Sequence, residues 1–495
     1  MRKIILITAF YLLFIKNILA QERPNFIIVI TDDQTNESIR ALGYDEIYTP
    51  NMDRLVRNGM TFTHAFNQGS WSGAVSVASR TMLITGQNVI NAQRNNDYIV
   101  KWARTTPDAE STKVKTIGET FSEAGYETFI TGKWHNTDEP LLKGFQVGSA
   151  VGLGFYETYD EANSNEFAYN RPNDGGWQPW NDSLKGHWAP QVRDIYYENG
   201  ERKISDYYTV EQHTSELYTD RAINYLQQEH KLPFFMYVAY NAPHDPRQSP
   251  REFVDMYPLD SIRIPVNYLP DHPFPIGVEG ERDEHLAPYP RTPEAIRLHR
   301  QEYYAIISHF DRELGRLLDA LENSPHKENT YIIFTSDHGL AVGMHGLMGK
   351  QNMYDHSMRI PFIITGPDVK AGTQSDALIY MQSIFATTCD LAGIPIPETV
   401  DYGSLKPILT GDQTKGEEYI FGYFRDRHRM LRSDRYKLIL YPYSNNAQLF
   451  DLATDPYETT NLINNPDYTE IKEELFQRFL EKQKEIGDKV KVRKE

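Results

Sequence analysis

The stretch Asn25-Phe26-Ile27-Ile28-Val29-Ile30, followed by Thr31-Asp32-Asp33, decides the fold class. A continuous apolar run rich in β-branched residues is typical of a strand that is buried on both faces of a sheet. Two further apolar runs have the same character: residues 331–334 lead into Ser336-Asp337-His338-Gly339, and residues 234–240 lead to His244. Because ligands bind beyond the carboxyl ends of the strands in open α/β sheets, we expect these polar residues to meet in one crevice.

Helical patterns alternate with these strands. Apolar residues recur at helical spacing in residues 117–124 and again in residues 303–321. Strands that alternate with helices predict a layered α/β domain, which we place at residues 22–412. Residues 140–215 are rich in Asn, Asp, Gly, Pro and aromatic residues and have little periodicity, so they predict long surface loops.

A second, smaller unit follows the main domain. Short β-like runs predict an antiparallel meander, and they occupy residues 419–424, 429–432, 436–441 and 448–452. Residues 467–486 have apolar side chains on one helical face and predict a closing helix. We therefore expect an α+β subdomain at residues 413–495.

Composition and charge exclude several classes of protein. The chain has 495 residues and a formal net charge of −17, from 51 Lys and Arg against 68 Asp and Glu. This length exceeds one ordinary core, and the 12% aromatic content argues against intrinsic disorder. The acidic balance argues against a nucleic-acid partner. The single cysteine, Cys389, cannot form an internal disulfide and is too few for a cysteine-based zinc site.

Residues 1–20 have the pattern of a secretory signal peptide. Arg2 and Lys3 precede an apolar run at residues 4–15, and Ala20 offers a small residue at the cleavage point. Lys16 interrupts that run before it reaches the ~20 apolar residues that a transmembrane helix needs, and no later run is as long. We therefore expect an exported protein without a membrane span, in the periplasm or at the exterior of a bacterium.

Three carboxylates follow the predicted strand ends, at Asp32, Asp33 and Asp337. Like charges in one crevice are unfavourable unless a cation neutralises them, and oxygen ligands favour Ca²⁺ or Mg²⁺. His338 would add a nitrogen ligand, which leaves Mn²⁺ or Zn²⁺ open. The alternative interpretation is that these aspartates cap the helices that follow them.

The segment Ser76-Val77-Ala78-Ser79-Arg80, followed by Thr85-Gly86, resembles the signature of the type I sulfatase family. That signature is Cys or Ser, any residue, Pro or Ala, any residue, Arg, with Thr-Gly downstream. Further segments that are similar to landmarks of the family stand in the family's order and cover nearly the whole chain: Thr49 to Leu55, Gly132 to His135, Pro243-His244, Ser336 to Gly339, Gly349-Lys350 with Tyr354, Arg359 and Pro361, and Leu449 to Leu462. The resemblance implies an alkaline-phosphatase-like layered α/β/α domain with a large mixed sheet, plus a C-terminal antiparallel-sheet-and-helix subdomain.

The resemblance also implies a modified nucleophile and a metal ion. Ser76 would be oxidised after translation to formylglycine, whose hydrate uses one hydroxyl to attack sulfur and the other to expel sulfate. One divalent cation, with Ca²⁺ as the first expectation, would bind Asp32, Asp33, Asp337, His338 and the modified Ser76.

The family's catalytic residues can be carried over one by one. Arg80 and Lys133 would hold the formylglycine oxygens, and Lys133 and Lys350 would bind the sulfate. His244 would protonate the leaving alcohol, and His135 would act as the base for sulfate expulsion.

Two positions depart from the family's pattern. Ala78 stands where Pro is commoner, which suits maturation of Ser-type bacterial members by an oxygen-independent radical enzyme. Gln382-Ser383 replaces a frequent Asp at a position that is structural.

The substrate that the resemblance implies is a sulfate ester on a carbohydrate, such as a mucin O-glycan or a glycosaminoglycan sugar. Trp177, Trp180, His187 and Trp188 belong to one loop and could stack on sugar rings, although packing within the loop is the alternative. Arg247, close to His244, is a further candidate for a sugar contact. Two other functions remain open here: a metal-dependent phosphatase or phosphodiesterase of the same superfamily, and a glycan-binding pseudo-sulfatase in which Ser76 stays unmodified.

Overall fold

The computed structural model describes residues 23–95, 114–154, 178–183 and 185–492. The strands are, in chain order, β1 (Asn25–Thr31), β2 (Met60–Phe62), β3 (Ala65–Phe66), β4 (Gly69–Ser70), β5 (Glu127–Lys133), β6 (Val147–Gly152), β7 (Gln191–Glu198), β8 (Glu201–Ile204), β9 (Tyr208–Thr209), β10 (Phe234–Ala239), β11 (Thr330–Ser336), β12 (Arg359–Ile360), β13 (Phe362–Thr365), β14 (Thr373–Ser375), β15 (Ile379–Tyr380), β16 (Ile420–Phe424), β17 (His428–Arg432), β18 (Tyr436–Tyr441) and β19 (Asn446–Asp451).

The α-helices among these residues are α1 (Pro50–Asn58), α2 (Val75–Thr85), α3 (Val89–Arg94), α4 (Ile117–Glu123), α5 (Asp138–Gly144), α6 (Thr214–Leu226), α7 (Arg251–Asp255), α8 (Pro293–Glu322), α9 (Asp355–Met358), α10 (Ser383–Ala392), α11 (Lys406–Leu409) and α12 (Thr469–Ile486). Short 3₁₀ helices lie at Asn36–Ser38, Arg40–Leu42, Leu259–Ser261, Arg282–Leu286, Lys327–Asn329 and Pro466–Tyr468.

The largest sheet has eleven strands in the order β14-β2-β13-β11-β1-β10-β5-β6-β7-β8, with β9 beside β7. Its five central strands, β11, β1, β10, β5 and β6, are parallel to one another. Strands β13 and β7 run antiparallel to the central strands that they flank. The predicted large mixed sheet is therefore confirmed.

The side chains of β1 alternate between two buried cores. Phe26, Ile28 and Ile30 pack on one face of the sheet, in a cluster that includes residues of α2, α4 and α10. Ile27 and Val29 pack on the other face, with residues of α1, α6 and α8. A strand that is covered on both faces needs apolar side chains at every position, which explains the uninterrupted run in the sequence. The layers are helix, sheet and helix, as predicted.

The three apolar runs of the sequence are neighbours in the sheet. Strand β1 lies between β11 and β10, and Ile28 is opposite Ile333 on one side and Tyr237 on the other. Because all three strands are parallel, their carboxyl ends lie at the same edge. The polar residues that follow them therefore meet at that edge, as we expected from the sequence.

The C-terminal meander forms a separate sheet in the order β19-β18-β17-β16-β4. Strands β16 to β19 are antiparallel, and α12 packs on them through Leu475, Phe476 and Phe479. This confirms the predicted antiparallel sheet and helix. At the other edge of this sheet, β16 pairs with β4. Strand β4 belongs to the segment just before α2. The division of the chain at residue 412 remains a prediction.

Two expectations about local structure were incomplete. Helix α8 begins at Pro293 and not at residue 303, because Thr292 caps it and its first turns carry charged residues that hide the apolar period.

The prediction that residues 140–215 form only surface loops is wrong where they are described, since β6 to β9 extend the large sheet there. Strands β6 and β7 are partly exposed, and β8 and β9 have only four and two residues, so the apolar pattern is weak.

Two predicted features lie outside the described residues. The signal peptide at residues 1–20 is one, and Trp177 is the other. Within the residues that the structure does describe, every helix is too short or too polar to cross a membrane.

A buried ion network joins the meander to the main domain. Lys437 of β18 is fully buried, and its ammonium group donates to Asp355 of α9 at 2.5 Å and to Glu458 at 2.6 Å. Glu458 also accepts the backbone N–H of Asp355 at 2.8 Å. Lys437 therefore compensates two carboxylates that have little access to water, and Arg432 Nε adds a second cation 3.5 Å from Asp355.

We predict that Lys437→Met lowers the free energy of unfolding by about 3–5 kcal/mol, because buried Glu458 loses its cation and Asp355 is left with the more distant Arg432 and Arg359. Urea denaturation followed by fluorescence measures this change. The control is Arg478→Met, which breaks an exposed pair with Glu481 and should leave the midpoint unchanged. Equal midpoints for the two variants would show that the network contributes nothing.

Candidate active site

Four neighbouring parallel strands deliver charged or titratable residues to one edge of the large sheet. Asp32 and Asp33 follow β1, and Asp337 follows β11. Lys133 is the last residue of β5, and His244 lies shortly beyond β10. Gly132 lets β5 approach β10 at this point, because a side chain there would collide with the carbonyl oxygen of Ala239. The carboxyl edge of the sheet is therefore the site.

Helix α2 supplies two further predicted residues. Ser76 lies in its first turn, where the partial positive charge of a helix N-terminus favours an anion. Arg80 follows four residues later, so it projects from the same side of the helix. All residues of α2 are buried, and the helix ends at Gly86 in a left-handed conformation. A rigid, buried helix thus fixes both side chains.

Asp32 is the centre of the contacts. Its Oδ1 accepts a hydrogen bond from the Ser76 hydroxyl at 2.9 Å, and its Oδ2 accepts one from the Lys133 ammonium group. Arg80 donates through Nε to Asp337 Oδ2 at 3.0 Å and through Nη1 to the Lys133 carbonyl oxygen at 2.8 Å. Arg80 is completely buried, so its charge is held in place by these partners.

Asp33 is paired with a different lysine from Asp32. The Lys350 ammonium group lies 2.7 Å and 2.6 Å from the two carboxylate oxygens of Asp33. The backbone N–H of Asp33 donates to Asp337 Oδ1 at 3.1 Å, which ties β1 to β11. Lys350 comes from a loop and not from a strand end, and it is also buried. The structure therefore brings together Ser76, Arg80, Lys133 and Lys350 around the aspartates, as the sequence predicted.

Burial and mutual repulsion shift the ionisation of the three aspartates in different directions. Burial raises the pKa of Asp33 well above its usual range, with Asp32 and Asp337 adding to the effect against Lys350. Burial also raises the pKa of Asp337. Burial opposes ionisation of Asp32 too, but Lys133 and the other cations outweigh it and hold its pKa well below the usual range. Burial therefore outweighs the nearby cations at Asp33 and Asp337 but not at Asp32.

These groups fit a hard divalent cation. Asp32, Asp33 and His244 each offer a ligand atom, and the three atoms lie within 4.8 Å of one another. The carboxylate oxygens suit Ca²⁺ or Mg²⁺. Burial raises the pKa values of Asp33 and Asp337 and so opposes their ionisation, which a bound cation would favour. The predicted ligands Asp337 and His338 are buried but do not belong to this cluster of three. Burial lowers the pKa of His338 to about 3, so its ring is neutral at pH 7.

The two candidate proton-transfer residues are held by the backbone around them. His244 Nδ1 donates to the carbonyl oxygen of Asp245 at 2.6 Å, which leaves Nε2 directed toward Asp33, 3.8 Å from its Oδ2. Burial lowers the pKa of His244 to about 4, although Asp245 opposes this. His135 has a positive φ of 60°, and burial together with Lys133 lowers its pKa well below the usual range. Both rings are therefore neutral at pH 7.

Two of the expected sugar contacts, His187 and Trp188, form hydrogen bonds within the protein. His187 is fully buried: its Nε2 donates to the His244 carbonyl oxygen at 3.0 Å, and its Nδ1 bonds the Thr214 hydroxyl at 2.6 Å. The expectation that His187 touches the sugar is therefore wrong, because its ring is buried and donates to the backbone of His244. Trp188 donates to the carbonyl oxygen of Pro179, so it packs within its own loop.

Two other candidates for sugar contacts lie near this loop. The guanidinium group of Arg251 lies 5.2 Å from the ring centre of Trp180. Arg247 is buried, and its Nη1 lies 2.9 Å from His299 Nδ1 of α8. A direct sugar contact by Trp180 or Arg247 remains a prediction.

Sequence reasoning missed a group of residues that surrounds the site. Arg282, Asp283 and Glu284 lie on a 3₁₀ helix, and they bond the segments that carry His244 and Lys350. Gln351 joins this helix to the loop before Ser76. A short run of charged residues between loops is ordinarily a solvated surface, and no flanking motif marked this one. The adjacency of Asp245 to His244 was the only signal in the sequence.

Comparisons with known proteins agree with this geometry. The family model described as Sulfatase matches residues 24–394, and the model described as N-sulphoglucosamine sulphohydrolase, C-terminal, matches residues 343–485. A sulfatase of Formosa agariphila is 28% identical over 459 residues, covering 90% of this chain and 84% of its own length. The N-acetylglucosamine-6-O-sulfatase of Bacteroides thetaiotaomicron is 25% identical over 538 residues, covering 94% of this chain and 87% of its own.

A solved structure shows the same fold. A protein in complex with its substrate D-glucosamine-2-N,6-O-disulfate superimposes with a TM-score of 0.71 and 23% identity. The likeness covers 94% of this chain and 99% of that chain. Both the main domain and the meander are therefore shared with that protein.

We predict that Ca²⁺ raises the melting temperature of the metal-stripped protein and that Asp33→Asn removes this effect. An ion at 100 times its dissociation constant stabilises the folded state by about 2.7 kcal/mol. Because the pKa values of Asp33 and Asp337 are raised, protons compete with the ion, so affinity should increase from acidic to neutral pH. Calorimetric titration with CaCl₂ at several pH values measures this.

The matched control for the ion-binding experiment is Asp319→Asn, which alters an exposed carboxylate paired with Arg54. It should keep the full shift in melting temperature. An undiminished shift in Asp33→Asn, or an affinity independent of pH, would contradict the assignment.

Proposed function

This chain belongs to the sulfatase family, and we propose that it hydrolyses sulfate esters of carbohydrates with a formylglycine nucleophile formed from Ser76. Its activity as a sulfatase follows from the family and its sulfatase relatives. The observation that supports the nucleophile is the position of the Ser76 hydroxyl, 2.9 Å from Asp32 and beside the buried cations Arg80 and Lys133. Both cations would attract a sulfate anion to that hydroxyl.

We further propose that the enzyme uses one divalent cation, with Ca²⁺ as the first candidate. Asp32, Asp33, Asp337 and His338 would hold it, together with the modified side chain at position 76. When bound, the ion supplies positive charge beside that side chain and so favours its deprotonated, nucleophilic form. The burial of Asp33 and Asp337 supports this proposal, because burial raises their pKa values and a cation would favour their ionised forms.

In the first step of the proposed reaction, a hydroxyl oxygen of the formylglycine hydrate bonds to sulfur as the bond from sulfur to the sugar oxygen breaks. Sulfuryl transfer is expected to resemble phosphoryl transfer, with charge on the leaving oxygen and on the equatorial oxygens. Lys133 and Lys350 would stabilise the equatorial charge. His244 would give its Nε2 proton to the leaving oxygen, since Nδ1 is committed to the backbone. The ring of His244 must first gain this proton, and the negative charge of a bound sulfate would favour its protonated form.

In the second step, His135 would remove the proton of the other hydroxyl. The oxygen then forms the carbonyl of formylglycine, and the bond to the sulfate oxygen breaks. Water adds to the carbonyl to restore the hydrate. Burial keeps the His135 ring neutral at pH 7 by lowering its pKa, and the neutral form is the one that can accept this proton.

The substrate class, the cellular location and the maturing enzyme complete the proposal. A relative named for N-acetylglucosamine 6-O-sulfate supports a sulfated amino sugar of a mucin O-glycan or a glycosaminoglycan. The pattern of residues 1–20 supports export to the periplasm or the cell exterior. Ser76 with Ala78 supports maturation by an oxygen-independent radical enzyme.

We predict that the Ser76 peptide of protein made in its native host lacks two hydrogens relative to serine. Mass spectrometry of the digested protein measures this. Ser76→Ala should abolish turnover and keep the melting temperature, because the small side chain loses only one hydrogen bond, to Asp32. Intact serine in fully active native protein, or activity in Ser76→Ala, would contradict the proposed nucleophile.

We predict that the effect of His244→Ala depends on the leaving group. Turnover of an alkyl sugar sulfate, chosen from a panel of defined sulfated monosaccharides, should fall by about 10²–10⁴-fold. Turnover of 4-nitrophenyl sulfate should fall much less, because the nitrophenolate ion leaves without a proton. Equal losses on both substrates would show that His244 does not protonate the leaving group.

A further inference from the structure

The 3₁₀ helix Arg282–Leu286 contacts three parts of the active site without reaching the reacting atoms. We propose that its first three residues, together with Gln351, form a positioning clamp that sets Ser76, Lys350 and His244 in their mutual geometry. The clamp is defined as Arg282, Asp283, Glu284 and Gln351. This inference rests on the proposed function, since it concerns how the sulfatase site is aligned.

Glu284 holds the backbone that carries Lys350. Its carboxylate accepts the backbone N–H of Gly349 at 2.8 Å and that of Met348 at 3.1 Å. It also accepts Arg291 Nη2 at 2.6 Å, and it is 1% exposed. A buried carboxylate with this many donors has one orientation, so the residues before Lys350 are fixed.

Asp283 and Gln351 connect the Lys350 loop to the loop before Ser76. Gln351 Nε2 donates to Asp283 Oδ2 at 2.9 Å and to the carbonyl oxygen of Gly73 at 3.1 Å. Gln351 Oε1 accepts the backbone N–H of Lys350 at 3.1 Å. One buried amide group therefore joins the clamp, the sulfate-binding lysine and the segment that enters α2.

Arg282 extends the clamp to His244. Its Nη2 donates to Asp283 Oδ1 at 2.6 Å and to Asp245 Oδ1 at 3.1 Å. The carbonyl oxygen of the same Asp245 accepts His244 Nδ1. Arg282 thus anchors the residue that orients the imidazole ring.

The clamp acts through other residues, so its members are positioning residues and not catalytic ones. A displacement of about 1 Å in a catalytic group can cost roughly 100-fold in rate. The three segments that the clamp joins are far apart in sequence and have no common strand or helix. The hydrogen bonds to the clamp therefore fix the distances between these three segments.

The test is a swap of the hydrogen-bonding roles of Gln351 and Asp283. Gln351→Glu places an oxygen against Asp283 Oδ2 and against the Gly73 carbonyl oxygen, which repels both. We expect kcat/KM on 4-nitrophenyl sulfate to fall by about 10- to 100-fold. Inhibition by inorganic sulfate should weaken, because Lys350 shifts. In the double variant Asp283→Asn/Gln351→Glu, the new amide at position 283 donates to the new carboxylate at position 351. Part of the loss should then be recovered, while the repulsion from the Gly73 carbonyl oxygen stays.

The matched control is Gln483→Glu, because Gln483 and Asp488 form the same kind of buried pair, 2.8 Å long, on the C-terminal segment. It should lower the melting temperature without changing kcat/KM. Rates are expressed per formylglycine-containing molecule, measured by mass spectrometry, so that impaired maturation of Ser76 is not counted as impaired catalysis.

The outcomes separate the inference from the proposed function. Recovery in the double variant, in rates per formylglycine-containing molecule, supports positioning. Activity of Gln351→Glu within twofold of the unaltered enzyme, or no recovery in the double variant, overturns the clamp while the sulfatase activity stands. An unaltered, formylglycine-containing enzyme that cleaves no sulfate ester would overturn the proposed function, and the clamp with it.

Discussion

Burial of carboxylates at one edge of a parallel sheet is the constraint on which the rest of this structure depends. Asp32, Asp33 and Asp337 are removed from water at the ends of β1 and β11, and such a group is stable only with compensating charge. Arg80, Lys133 and Lys350 supply that charge from a helix, a strand and a loop, and a divalent cation would add to it. The site can therefore attract a sulfate although the whole chain carries a formal net charge of −17.

The sequence predicted the parts of the molecule that obey a strict local rule. A strand covered on both faces must be apolar throughout, so β1, β10 and β11 were recognisable, and so were the residues at their ends. Other parts depend on tertiary contacts. The start of α8 is polar, β6 to β9 are partly exposed, and the bonds of Glu284 and Gln351 join segments that are distant in sequence. The burial of His187 behind His244 is likewise invisible to local pattern.

The C-terminal meander contributes to the site without entering it. Strand β16 pairs with β4, which directly precedes the loop and helix that carry Ser76. Lys437 of β18 binds Asp355, which lies five residues beyond Lys350. The meander thus contacts the segments that carry Ser76 and Lys350. The second family match, over residues 343–485, spans this connection and not the meander alone.

The most direct test is a crystal structure of protein matured in its native host and soaked with Ca²⁺ and inorganic sulfate. The account predicts a geminal diol at position 76, one cation bound by Asp32, Asp33 and Asp337, and a sulfate ion on Lys133 and Lys350. An unmodified serine at position 76 in catalytically active crystals, or two metal ions at the edge of the sheet, would contradict it.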